Sequence, residues 1–205
     1  MQRFAAVLFD LDGVLVDTFP VWHAALNDIL RDFGYRQLTA EEYRERVWSK
    51  PFHEVVPKEF PGLTMDMMWA HFLPKATAAL VGCKPMPHAL ETVAAVRKHH
   101  KIGVITNSKH VAAEIILKTC GLQIPVVIAR DDVTREKPHP EMVLQACERL
   151  GARPSATAVV GDSWYDLEAA HAAGCVAIGL AIDADYRIES LSALPALLGD
   201  THGPL

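Results

Sequence analysis

Phe9-Asp10-Leu11-Asp12-Gly13-Val14-Leu15-Val16-Asp17 closes a continuous apolar run over residues 4–9. A run of strand length without polar alternation suits a parallel strand covered on both faces. The strand ends in acid. Carboxylates two residues apart on an extended backbone project to one side, so Asp10 and Asp12 can address one reacting atom from one strand end. Gly13 lets the backbone turn tightly and approach a ligand closely. Taken alone, Asp-x-Asp-Gly is also the polar turn by which an ordinary strand leaves a core.

Beyond Asp17 the period changes. Trp22, Ala25, Leu26, Ile29, Leu30 and Phe33 stand at i, i+3, i+4, i+7, i+8 and i+11, which predicts an amphipathic helix ending at Gly34. Thr39-x-x-Glu42 reads as a capping box opening a second helix. Met65, Met68, Trp69, Phe72, Leu73 and Ala76 predict a third, which Pro74 is expected to kink or break. Facing stripes of this kind make a helical unit over residues 18–85, its Met and Trp residues read as core rather than as a cofactor pocket. From residue 86 short apolar runs alternate with helices: residues 102–105, 125–129, 158–160 and 176–180 are the runs. One intervening helix shows its buried face in Val143, Ala146, Cys147 and Leu150. Residues 1–17 and 86–205 together therefore predict a doubly wound parallel α/β sheet. Ligands in such sheets sit at the carboxyl ends of the strands.

Three more polar groups fall at those ends. Thr106-Asn107-Ser108 follows a strand and leads into a helix near Lys109, where a hydroxyl and free amides make an anion site, or a plain helix cap. Lys137 sits between Glu136 and Pro138, with Pro140 beyond, so its loop has little backbone freedom. Asp162 and Asp166 lie four apart where a strand passes into a helix, and share one side of the first turn if the helix has begun. Paired acids there also suit the helix dipole without any ligand. Hard carboxylate oxygens, with no thiolate or imidazole among them, point to magnesium rather than zinc. A further acid beside Asp10 and Asp12 is costly unless a cation binds.

At 205 residues, half of them hydrophobic, the chain can bury one substantial core and a small accessory unit. A formal net charge of -5 gives no basic footprint for nucleic acid or an anionic membrane. The N-terminal apolar run stops at Asp10, which fits neither a signal peptide nor a membrane span, and a cytoplasmic protein is expected. Cys83, Cys120, Cys147 and Cys175 are far apart and read as core thiols. Ten His residues show no ligand spacing; His99-His100 reads as a solvated helix end.

Asp10-x-Asp12-Gly13, Thr106 after Gly103-Val104-Ile105, Lys137-Pro138, and Gly161-Asp162-Ser163-Trp164-Tyr165-Asp166 resemble, in order and spacing, the four motifs of the haloacid dehalogenase superfamily. The chain is most similar to the phosphoglycolate phosphatase and phosphoglucomutase-like branch, which implies a Rossmann-like core with a small helical cap inserted after the first motif. The resemblance implies that Asp10 attacks phosphorus and that Asp12 serves as acid and base. It further implies magnesium on the Asp10 side chain, the Asp12 carbonyl and Asp162, with Asp166 beside it or as a further ligand. Thr106 and Lys137 would stabilise the transferring group, with Gly13 and Asn107 near the phosphate. The implied reaction is hydrolysis of a small phosphorylated metabolite, phosphoglycolate-like, and the stretch Trp48-Ser49-Lys50-Pro51-Phe52 would contact it, with Lys50 facing a second anionic group. His88 departs from the pattern, which often has Gly there, and the chain after Leu180 carries no further motif.

Other readings stand beside this one. Asp12 argues against a dehalogenase, which lacks the second acid. A phosphosugar mutase differs only in excluding water from the intermediate. Phosphonoacetaldehyde hydrolase would need a Schiff-base lysine, for which Lys50 or Lys58 is available. A phospho-accepting signalling domain without turnover carries its nucleophile in mid-chain and has no inserted helical unit. No G-x-G-x-x-G follows any strand, which disfavours dinucleotide binding. Substrate identity and oligomeric state are not encoded in any of these patterns.

Overall fold

The computed structural model describes residues 4–48 and 50–200, with the backbone alone at residues 72–74 and 76–78. The opening apolar run forms β1 (Ala6–Phe9), buried throughout. After β2 (Val16–Asp17) come α1 (Phe19–Asp32), α2 (Ala40–Arg46), α3 (Phe52–Glu59) and α4 (Met65–Leu80). β3 (Lys84–Pro85) pairs antiparallel with β2, so the chain leaves for these helices and returns from them through one short ribbon. Then follow α5 (Ala89–Val96), β4 (Lys101–Ile105), α6 (His110–Thr119), β5 (Val126–Ile128) and α7 (Glu141–Leu150). The chain continues through β6 (Thr157–Gly161), α8 (Trp164–Ala173), β7 (Val176–Leu180), β8 (Tyr186–Ile188) and α9 (Leu194–Leu198).

Six strands form one sheet in the order β5-β4-β1-β6-β7-β8, and every neighbouring pair is parallel. This is the doubly wound fold expected from the alternating runs. Strand β1 sends Val7 and Phe9 to one face, with α5, α6 and α9, and Ala6 and Leu8 to the other, with α7 and α8. Burial on both faces is why the strands read as unbroken apolar runs. The winding reverses between β1 and β6, and the crevice at the carboxyl ends of those two strands is where such sheets bind ligands.

The helices follow their stripes. Trp22, Ala25, Leu26, Ile29 and Leu30 are the buried residues of α1. Thr39 and Glu42 form the expected reciprocal cap of α2, Thr39 N donating to Glu42 Oε2 at 2.8 Å. The break expected at Pro74 does not occur, because α4 is one helix packed along α1 and tertiary burial offsets the hydrogen bond a proline removes. The side chains of Phe72, Leu73 and Ala76 lie outside the described ones. Helix α3 was not foreseen; it is short and contains Pro57. Strand β8 was also missed, being three residues at the sheet edge. His88 takes the left-handed φ of 66° at the start of α5, a conformation glycine adopts without strain. All four cysteines are free and buried, as core thiols.

His100 corrects the reading of a solvated helix end. His99 is exposed, but His100 is buried, with Nδ1 2.9 Å from the Phe4 carbonyl and Nε2 2.9 Å from Asp200 Oδ1. The pair ties the entry of β1 to the end of the sheet's last helix. His100→Ala is expected to destabilise the fold by about 3 kcal/mol, because Asp200 is left buried without its partner. That corresponds to a fall of roughly 6–12 °C in the thermal midpoint; an unchanged midpoint would show the contact to be dispensable.

Candidate active site

The first acid lies just past β1. Asp10 is buried, and its amide donates to the Val160 carbonyl of β6 at 2.9 Å, which places the residue on the crevice. Lys137, also buried, reaches the same point from the loop before α7, and its Nζ donates to Asp10 Oδ1 at 2.7 Å, Asp166 Oδ1 at 2.6 Å and the Ile105 carbonyl at 3.3 Å. The lysine loop is held in turn by Asn107, whose amide donates to the Lys137 carbonyl at 3.1 Å and accepts from the Lys137 N–H at 3.0 Å. Asn107 is thus engaged with the lysine backbone.

Asp166 is the third residue of α8. Its Oδ2 accepts from Ser163 Oγ at 2.5 Å and Ser163 N at 3.2 Å, a capping box that fixes the start of the helix. Asp162 precedes the helix, so the two acids do not share its first turn as expected; the turn from β6 brings them together. Asp10, Asp162 and Asp166 each present an oxygen within 4.8 Å of the others. Gly161 and Gly13 permit this crowding: a Cβ on Gly161 would strike the Asp166 side chain, and one on Gly13 the Asp162 carboxylate. Gly13 also needs its φ of +90°, and its amide is bonded to the Val16 carbonyl at 2.9 Å.

Asp12 is held differently. Oδ2 accepts from Thr106 Oγ1 at 3.0 Å and Ser108 Oγ at 2.8 Å. Oδ1 accepts from Thr18 Oγ1 at 2.6 Å and Trp22 Nε1 at 2.7 Å. The first two donors come from the turn after β4, which leads into α6 as expected, with Lys109 as its cap. The other two come from the start of α1, so the second acid is gripped by both halves of the fold. Sequence reading missed Thr18 and took Trp22 as core alone. A signal was present: they stand at i and i+4, and a buried indole N–H needs an acceptor.

The charges are unbalanced. Burial pushes the Asp10 carboxyl well above the usual carboxylate range, Asp166 adds to the shift and Lys137 opposes it. Asp162 is raised to about 7, chiefly by burial and then by Asp166. Burial works against the Lys137 charge, but Asp10 and Asp166 more than offset it and hold its pKa above the ordinary lysine value. Two buried carboxyl groups and the half-buried Asp162 share one ammonium, and Asp162 Oδ1 is itself out of contact with solvent and without a hydrogen-bond partner. An all-oxygen donor set with an orphaned oxygen fits a hard divalent cation such as magnesium.

Above these groups is a cavity of about 110 Å³ between the sheet edge and the helices, reached by Asp10, Asp12, Thr106 and Lys137 from below. Trp48, Lys50, Pro51 and Phe52 line it; Ser49 lies outside the described residues. Lys50 Nζ donates to the Glu45 carbonyl at 2.6 Å, on the exposed side.

The family described as haloacid dehalogenase-like hydrolase matches residues 7–180. A phosphoglycolate phosphatase of Xylella fastidiosa is 33% identical over 180 residues, covering 82% of this chain and 76% of that protein. The pyrophosphatase PpaX of Bacillus pumilus is 30% identical over 209 residues, covering 94% and 95%. Among solved structures, CbbY from Rhodobacter sphaeroides in complex with phosphate shares the fold with a TM-score of 0.82 at 22% identity, over 94% of this chain and 96% of that one. A subfamily IA hydrolase of Geobacter sulfurreducens matches with a TM-score of 0.74 at 26% identity, over 96% and 97%. Among the described residues, no helix is long and apolar enough to cross a membrane.

Proposed function

Since the chain belongs to the haloacid dehalogenase-like hydrolases, as a phosphoric monoester hydrolase among them, we propose that it is a magnesium-dependent phosphatase acting on a small phosphorylated metabolite through an aspartyl phosphate on Asp10. One observation carries the reading. Asp10 with Lys137, and Asp12 with Thr106, converge at the reversal of the sheet beneath a small cavity.

In this mechanism Asp10 attacks phosphorus while the bond to the leaving oxygen breaks, and Asp12 gives that oxygen a proton. Asp12 then takes a proton from the water that cleaves the aspartyl phosphate, returning both acids to their starting state. Lys137 orients the Asp10 carboxylate by holding Oδ1, and Thr106 and Ser108 orient Asp12. Lys137 also sets a positive charge beside the transferring group. Magnesium, held by Asp10, Asp162 and the Asp12 carbonyl, would neutralise charge on the phosphoryl oxygens. Both Asp166 oxygens already accept from protein donors, which makes Asp166 the counter-charge of Lys137 rather than a further ligand.

Residues 18–85 serve as a cap over residues 1–17 and 86–205 in this reading, and substrate choice lies in the cap, because the groups below it address only phosphate and metal. Lys50→Ala is expected to lower kcat/KM for the preferred metabolite by roughly 10 to 100-fold, the loss of one or two charge-assisted contacts, and to spare a small uncharged aryl phosphate. Equal losses on both substrates would move the specificity contact elsewhere. The reading as a whole is tested by screening small phosphorylated metabolites with magnesium and after chelation. Phosphate release that stops in chelator and returns with magnesium is expected. Transfer to a sugar without phosphate release would make the protein a mutase, and release that persists unchanged in chelator would remove the metal.

A further inference from the structure

Glu136, immediately before Lys137, is used by none of the steps above. Its side chain is 7% exposed although it lies in a loop. From the turn after β5, Arg130 Nε lies 2.8 Å from its Oε2 as an ion pair. From α3, on the opposite side of the cavity, His53 Nδ1 lies against Oε1 as an ion-pair contact without hydrogen-bond alignment. His53 Nε2 is 3.9 Å from Glu54 Oε1, on the solvent side. A carboxylate taken out of water costs several kcal/mol unless its partners hold it, so both neighbours bear on where this one sits.

What this seat controls is the next residue. Lys137 must deliver an ammonium between Asp10 and Asp166 at the end of a flexible four-carbon stem, which requires a fixed backbone. Asn107 fixes the N–H and carbonyl of Lys137 itself, and Glu136 fixes the residue before it. Arg130 belongs to the sheet half and His53 to the helical half, so Glu136 is also the point where α3 touches the lysine loop.

We propose that Glu136 is a positioning residue whose seat is completed by His53, so that docking of α3 sets the placement of Lys137. The inference rests on the phosphatase reading above. A displaced Lys137 weakens charge stabilisation in the transition state more than substrate binding, and misplacement by about 1 Å is enough for a loss of up to 10²-fold.

The test is a double-mutant cycle on 4-nitrophenyl phosphate with saturating magnesium. His53→Ala and Glu136→Gln are each expected to lower kcat about tenfold with KM changed less than about twofold, and thermal midpoints should stay within about 2 °C of the parent. Because both act through one contact, the double variant should be no slower than the slower single one. Multiplying losses, a raised KM at unchanged kcat, or full activity in His53→Ala would each overturn the proposal. If Glu136→Gln does not fold, His53→Ala alone decides by its kcat. Failure of the phosphatase reading is distinguishable, since the parent protein would then release no phosphate before any variant is compared.

Discussion

Asp10→Asn is expected to reduce phosphate release by about 10⁴-fold or more while leaving the protein folded, because an amide cannot replace the attacking carboxylate. Uncatalysed hydrolysis of a phosphate monoester can require an acceleration of up to ~10²¹, so a site without its nucleophile has no second route of comparable power. The fold should tolerate the change. Asp10 is a buried acid whose charge is disfavoured by burial and by Asp166, and an asparagine oxygen can still accept from Lys137 at the same place. Stability within about 1 kcal/mol of the parent is therefore expected, on the scale of one neutral hydrogen bond exchanged for a charged one. Circular dichroism with a phosphate-release assay separates the two effects. A variant that keeps more than a tenth of the parent rate would remove Asp10 as the nucleophile.

Lys137→Met should damage both stability and rate. In the parent, one ammonium serves Asp10 and Asp166, all three groups being buried, with the half-buried Asp162 close by. Methionine fills the space of the stem but leaves the acids facing one another. Breaking a buried pair by removing one partner costs about 3–5 kcal/mol, and the loss is expected in the absence of divalent cation. Added magnesium should restore part of it, since a cation bound only by the folded state stabilises that state. Urea unfolding with and without magnesium reads this directly. With magnesium present, kcat is expected to remain about 10²–10³ below the parent, the usual consequence of losing one group that stabilises charge in the transition state. Full stability without magnesium would mean that the acids are protonated or hydrated rather than balanced by the lysine.

The parts legible in the sequence are those whose cause is local. Burial on two faces makes β1, β4, β6 and β7 continuous apolar runs, and burial on one face puts Val143, Ala146, Cys147 and Leu150 at helical spacing. A parallel sheet then carries every strand end to one edge, so acids, a hydroxyl and a lysine written after four separate strands or loops had to come near one another. Thr39-x-x-Glu42 was readable because both halves of a capping box lie within four residues. Strand β8 was not, because three edge residues carry too little period to separate them from a loop.

The four donors around Asp12 were only partly legible. Thr106 and Ser108 could be placed by the turn they share, whereas Thr18 and Trp22 depend on the angle at which α1 leaves the ribbon. Pairs that span the chain were beyond any local signal: His100 with Asp200, and His53 with Glu136. The sequence by itself determined the sheet, the helical insertion and the set of groups at the strand ends, because periodicity and turn chemistry act over a few residues. Tertiary structure alone decided which oxygen each donor holds and where α3 meets the lysine loop, because those contacts follow from how whole helices pack and not from the residues adjacent in the chain.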